Sequence, residues 1–128
     1  MKVRKATSKD AKSIHTLIRE HAGILLQDHL PRTTEFFVAV DGKPARIVGC
    51  CALVIYSKRL AEIRSLAVSK AFRGKGIATE LIDACVALAD KKKVYEVLSI
   101  TGAKELFEKN GFGMLKKEKY ALIKVLRD

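Results

Sequence analysis

Apolar and polar positions change rhythm several times along the 128 residues, and each rhythm predicts an element. Val3 to Ala6 reads as a short strand, after which Thr7-Ser8-Lys9-Asp10 offers hydroxyl and carboxylate caps to a helix. That helix carries Ile14, Leu17, Ile18 and Ala22 at helical spacing. A connection from Gly23 to Thr34, containing Pro31, leads to strands at Phe36 to Val40 and Ile47 to Tyr56. The turn residues Asp41-Gly42-Lys43-Pro44 between them predict a hairpin. The run Ile47 to Ile55 is apolar at nearly every position, as a central strand covered on both faces is, so the sheet must carry helices.

The next strand, Glu62-Ile63-Arg64-Ser65-Leu66-Ala67-Val68, has a period of two that puts Glu62, Arg64, Leu66 and Val68 on one side. A charged pair in an inner strand is unusual and marks it for attention. Beyond it Ile77, Leu81, Ala84, Cys85 and Leu88 form one helical stripe that ends at Lys91-Lys92-Lys93. Val94 to Ile100 reads as a strand, Ala103 to Asn110 as a short helix closed by Asn110-Gly111, and Tyr120 to Leu126 as a last strand. No internal repeat, linker or low-complexity segment interrupts this order.

Composition fits one folded domain over residues 1–128, with 48% hydrophobic and 30% charged residues and only two prolines. The N-terminus lacks the apolar stretch of a signal peptide, and no segment reaches transmembrane length, so a cytoplasmic protein is expected. Cys50, Cys51 and Cys85 lie in apolar runs and read as reduced core thiols. His15, His21 and His29 lack the spacing of a metal site, and none is expected. The net charge of +11 favours anionic partners: a phosphorylated cofactor, an acidic substrate or peptide, or nucleic acid. Its lysines are spread along the chain without interleaved aromatics, which disfavours nucleic acid and favours a solvated basic surface.

Candidate chemistry centres on Arg73-Gly74-Lys75-Gly76-Ile77-Ala78, between the strand ending at Val68 and the following helix. Glycines let backbone approach an anion closely, and the first N–H groups of a helix are unpaired at the positive end of its dipole. The loop therefore reads as a pyrophosphate cradle, with charge from Arg73 and Lys75; an ordinary turn is the plainer alternative. A Walker loop is excluded because Lys75 is followed by Gly76. A dinucleotide fingerprint is weak, because Thr79 stands where Gly or Ala belongs and the preceding strand is charged, although Glu96 could imitate its ribose carboxylate.

The order of elements, the Glu62 to Val68 strand, the Arg73-x-x-Gly76-x-Ala78 loop and Leu106-Phe107-Glu108-Lys109-Asn110-Gly111-Phe112 together resemble the Gcn5-related N-acetyltransferase (GNAT) superfamily over nearly the whole chain. The resemblance implies an α/β (α+β) fold with a mixed, mostly antiparallel central sheet flanked by helices, and an acetyl-CoA-dependent transfer to a primary amine by direct attack on the thioester. It further implies that Arg73, Gly74, Lys75, Gly76, Ile77 and Ala78 hold the cofactor pyrophosphate through backbone N–H groups, with a hydroxyl from Thr79. Leu66, Ala67 and Val68 would pair with the pantetheine arm, and an N–H near Ala67 or Val68 would face the oxyanion.

Glu62 stands where many members of the superfamily carry a catalytic base; a strand glutamate paired with Arg64 is the plainer reading. Phe107 occupies the place of the usual acidic tyrosine and has no proton to give, which leaves Tyr120, Tyr95 and Thr101 as substitutes to examine. The same strand and the Phe-Glu-Lys-x-Gly-Phe segment are similar to the acetyltransferase domain of N-acetylglutamate synthases, which implies an amino-acid acceptor such as glutamate. Arg64 and Arg32 would then contact its carboxylates, though a surface role is the plainer reading for Arg32. A peptide or polyamine acetyltransferase, and a noncatalytic CoA-binding or basic nucleic-acid-binding module, stay open as alternatives. A homodimer through the edge strand Tyr120 to Leu126 is a further expectation.

Overall fold

A computed structural model describes residues 1–21, 29–114 and 122–127. Strands β1 (Lys2–Lys5), β2 (Phe36–Asp41), β3 (Arg46–Ile55), β4 (Leu60–Val68) and β5 (Glu96–Leu98) form one sheet in that spatial order. Neighbours run antiparallel except β4 and β5, which are parallel, so the sheet is mixed and mostly antiparallel. Helix α1 (Ala11–Arg19) covers one face; α2 (Ile77–Lys91) and the short α3 (Lys104–Lys109) cover the other. No helix among the described residues is long and apolar enough to cross a membrane.

The two apolar layers follow from side-chain alternation along the inner strands. Ile14, Leu17 and Ile18 of α1 pack with Phe36, Val38, Cys50 and Ala52. Ile77, Leu81, Ile82 and Cys85 of α2 pack with Cys51, Leu53, Ala61 and Ile63. The doubly apolar run of β3 is therefore sandwiched, which is why it could be read as central. Asp10 pins the start of α1 to β1: its carboxylate accepts two hydrogen bonds from Arg4, at 2.7 and 3.1 Å, and one from the Thr7 N–H at 2.7 Å.

One expectation about β4 is overturned. Cys50 pairs with Ala67 and Ala52 with Arg64, so two residues of β4 stand opposite the single Cys51. The extra residue forms a bulge at Ser65, whose φ of 55° lies in the left-handed region. Alternation changes phase there. Ala61 and Ile63 face α2 before the bulge, whereas Leu66 and Val68 do so after it and Ala67 turns to α1. Glu62 and Arg64 thus share a face with each other and not with Leu66 and Val68.

The C-terminal half differs in two further ways. The strand expected over Val94 to Ile100 is only Glu96–Leu98. The last strand expected over Tyr120 to Leu126 does not form over residues 122–127, which have no regular structure, so the basis for a strand-paired dimer there is removed. Tyr120 lies outside the described residues, as does Ala22, which was expected to extend the first helix.

Candidate active site

The site begins where the sheet opens. The β4–β5 ladder holds three residue pairs and ends at Glu62 opposite Leu98. Ser99 Oγ then donates to the Ile63 carbonyl at 3.3 Å, and the strands part. A cleft of about 710 Å³ lies between them, lined by Glu62, Ile63, Arg64, Ser65 and Leu66 on one side and by Ser99 to Ala103 and Phe107 on the other. Past Glu62, β4 is laddered to β3 alone, so the backbone groups aimed at the cleft need partners from a ligand or water.

At the far end of β4 a turn over Lys70–Phe72 leads into the glycine loop. Gly74 and Gly76 have φ of 77° and 81°, which a side chain resists. A Cβ at either would meet nothing within 4 Å, so conformation and not crowding calls for glycine, and the space beside the loop is open. Gly76 is the N-cap of α2, and no side chain caps the helix. The first N–H to bond back is that of Glu80, to Gly76 O at 3.1 Å. The N–H groups of Ile77, Ala78 and Thr79 precede it and are free for an anion, at the positive end of a fifteen-residue helix.

The charged side chains of the loop behave differently from its backbone. Lys75 Nζ lies 5.4 Å from the centre of the Phe72 ring and is exposed. Arg73 turns back: its Nε donates to the Val68 carbonyl at 3.3 Å, and its Nη2 donates to His21 Nε2 at 2.6 Å. The other ring nitrogen of His21 donates to the Leu17 carbonyl at 2.8 Å, so this contact ties the end of α1 to the loop. Thr79 Oγ1 accepts a 3.4 Å hydrogen bond from Asn110, next to α3. Open left-handed glycines, an uncapped helix start and an unpaired strand edge together suit the pyrophosphate and the amide-bearing arm of CoA.

At the near end the cleft is made of side chains. Glu62 pairs with Val54 and Arg64 with Ala52, which puts both on the α1 side of the sheet, half-buried and two residues apart. Tyr56, just beyond β3, donates its hydroxyl to Glu62 Oε1 at 2.5 Å. That hydrogen bond to a carboxylate, with some desolvation, pushes the Tyr56 phenol above its ordinary range, because the neutral form is the one that donates. Arg64 Nη2 donates to the His29 carbonyl at 3.3 Å.

The remaining candidates are placed as follows. Phe107 is buried on the cleft wall, edge-on to Phe112 with ring centres 5.1 Å apart. Thr101 lines the cleft, and its hydroxyl accepts from the Ala103 N–H at 2.9 Å. Tyr95 is exposed, with the Arg59 guanidinium 5.4 Å from its ring centre. Arg32 is not among the cleft-lining residues; its side chain is 84% exposed and faces Glu35 at 3.7 Å. The sequence pattern gives Tyr56 only as the end of a strand and assigns it no chemistry. A tight turn between Ile55 and Leu60 puts Tyr56 diagonal to Glu62 on the same face.

Comparison with known proteins gives a consistent set. Residues 32–113 match the acetyltransferase (GNAT) domain. An uncharacterized N-acetyltransferase of Chlorobaculum tepidum is 38% identical, over 98% of this chain and 83% of its own. An amino-acid acetyltransferase of Mycobacterium tuberculosis is 34% identical, over 86% of this chain and 67% of its own. Among solved structures, a Mycobacterium tuberculosis protein in complex with CoA superposes with a TM-score of 0.84 at 31% identity, over 91% of this chain and 74% of that one. The N-acetylglutamate synthase of Neisseria gonorrhoeae, complexed with coenzyme A and N-acetyl-glutamate, superposes with a TM-score of 0.78 at 26% identity, over 93% of this chain and 30% of that one.

Proposed function

The chain belongs to the GNAT acetyltransferase family and is an acetyl-CoA-dependent N-acetyltransferase, and from that premise we propose that it acetylates the amino group of a free amino acid such as glutamate, with Glu62 as base. The observation that carries this reading is the pairing of Glu62 and Arg64, opposite charges two residues apart on one face of a strand that lines the cleft. Residues so spaced stand about 6–7 Å apart along a strand, a span that an amino acid can bridge with its amine at one end and a carboxylate at the other.

Acetyl-CoA, when bound, supplies an activated thioester. The free N–H groups of Ile77, Ala78 and Thr79, with Gly74 and Gly76 giving access and Lys75 adding charge, hold its pyrophosphate in this reading, while Arg73 braces the loop against Val68 and His21. The backbone of Leu66, Ala67 and Val68 holds its arm. An acceptor amine is mostly protonated at neutral pH and must lose that proton to attack. Glu62 takes it on Oε2, the oxygen that Tyr56 leaves free. Arg64 receives the acceptor carboxylate, for which its planar fork is suited, after releasing the His29 carbonyl. The amino-acid acetyltransferase and N-acetylglutamate synthase among the similar proteins support this acceptor class. The three free thiols, all buried, suit a reducing compartment, and we place the enzyme in the cytoplasm.

The test is acetyl-CoA-dependent release of CoA with glutamate, other amino acids, polyamines and lysine-bearing peptides as acceptors. Release with glutamate or another acidic amino acid is expected, and Arg64→Met should raise the KM for that acceptor about tenfold or more while leaving the KM for acetyl-CoA alone. Release with polyamines or peptides only would overturn the amino-acid reading.

A further inference from the structure

We propose that Tyr56 is a positioning residue for the transfer: its hydroxyl holds one carboxylate oxygen of Glu62 so that the other is presented to the acceptor amine. This rests on the reading of Glu62 as the base. A glutamate side chain has three rotatable bonds and loses rotamer freedom when a reaction needs it in one place. Here a partner fixes it beforehand. The Tyr56 N–H donates to the Leu60 carbonyl at 3.0 Å, which ties the residue to the turn preceding Glu62. Its hydroxyl then reaches Glu62 Oε1 at 2.5 Å, the short end of charge-assisted O–H···O⁻ geometry.

A phenol is already neutral at about pH 7, and the Glu62 carboxylate raises it further, so the hydroxyl keeps its proton to donate. The charged groups around the pair are Arg64 on β4 and Glu35 at the foot of β2, while Glu96 on β5 is engaged by Arg59 at 4.0 Å. Among the described residues the Tyr56 hydroxyl is the group that hydrogen-bonds the Glu62 carboxylate, and it is the contact that orients it. The proximity of Tyr56 to Glu62 arises from the β3–β4 turn and owes nothing to the glycine loop or to the wall containing Phe107.

Tyr56→Phe, Glu62→Gln and the double variant separate the possibilities, with kcat and KM measured using L-glutamate, or a lysine-bearing peptide if the wild type prefers it. Removal of the hydroxyl alone should lower kcat about tenfold, with the melting temperature and the KM for acetyl-CoA nearly unchanged. The double variant should be no slower than Glu62→Gln. Carbon NMR of labelled tyrosine rings should show the Tyr56 phenol titrating at lower pH in Glu62→Gln than in the wild type. If Glu62→Gln is slow and Tyr56→Phe is not, the positioning role falls while the base stands. If Tyr56→Phe slows Glu62→Gln as much as it slows the wild type, the tyrosine acts apart from the glutamate and the proposal is overturned. Full activity in Glu62→Gln removes the base reading, and the role of Tyr56 with it.

Discussion

The two ends of the cleft are built from different materials. At the glycine loop and the open edge of β4, the groups open to a ligand are backbone N–H and C=O, presented by two left-handed glycines, an uncapped helix and a strand whose one edge is unpaired past Glu62. At the other end the groups that line the cleft are side chains: Glu62, which accepts from Tyr56, with Arg64 beside it, the groups to which we assign the transfer. Backbone recognition depends on conformation and tolerates most side chains, whereas the acceptor end depends on the identity of a few. In our proposal the cofactor is held by backbone conformation and the acceptor by a few side chains.

The largest expected effect breaks the acceptor end alone. Glu62→Gln keeps the shape and removes the proposed base, and kcat should fall by about 10²-fold or more, the ordinary range for general-base catalysis, with CoA affinity close to that of the wild type. Steady-state kinetics alongside calorimetric CoA binding would check this. A smaller effect breaks the cofactor end alone. Gly76→Ala forces a side chain into φ of 81° and costs about 1–2 kcal/mol in backbone conformation, so CoA should bind about tenfold more weakly while turnover at saturation changes little.

The smallest effect on the chemistry should come from a third place. Asp10 belongs to neither end, and Asp10→Asn removes the ion pair with Arg4, lowering stability by on the order of 1–3 kcal/mol with both KM values unchanged. The hydrogen bond from Arg4 holds the Asp10 carboxyl below its ordinary value of about 3.9. Its contribution is therefore complete above that value and is lost as pH falls through the lower folded-state value. Melting curves of both proteins from neutral to strongly acidic pH should converge at the acid end.

Much of the cofactor end was legible in the sequence, because its signals are local. Gly74 and Gly76 announce left-handed backbone, and the stripe from Ile77 to Leu88 announces the helix whose start they form. The acceptor end was legible only in part. Glu62 and Arg64 stood out as charges in an inner strand, but their relation to Leu66 and Val68 was misread, since nothing about a serine signals the left-handed conformation of Ser65. That bulge is imposed by pairing with β3, a tertiary cause. Tyr56 was missed for a similar reason, as its role exists only once the turn after Ile55 brings it back to Glu62. Arg73 was read as a charge for phosphates from its place in the loop, yet its guanidinium rests on Val68 and His21, the latter 52 positions away in sequence.

The central claim is that one end binds cofactor through backbone and the other performs the transfer through side chains. The most direct test is calorimetric CoA binding and kcat measured together on Glu62→Gln and Gly76→Ala. The account predicts a clean cross, with Glu62→Gln binding CoA like the wild type but transferring slowly, and Gly76→Ala binding weakly but transferring normally once saturated. Equal loss of CoA affinity in both variants, or wild-type turnover in Glu62→Gln, would contradict it.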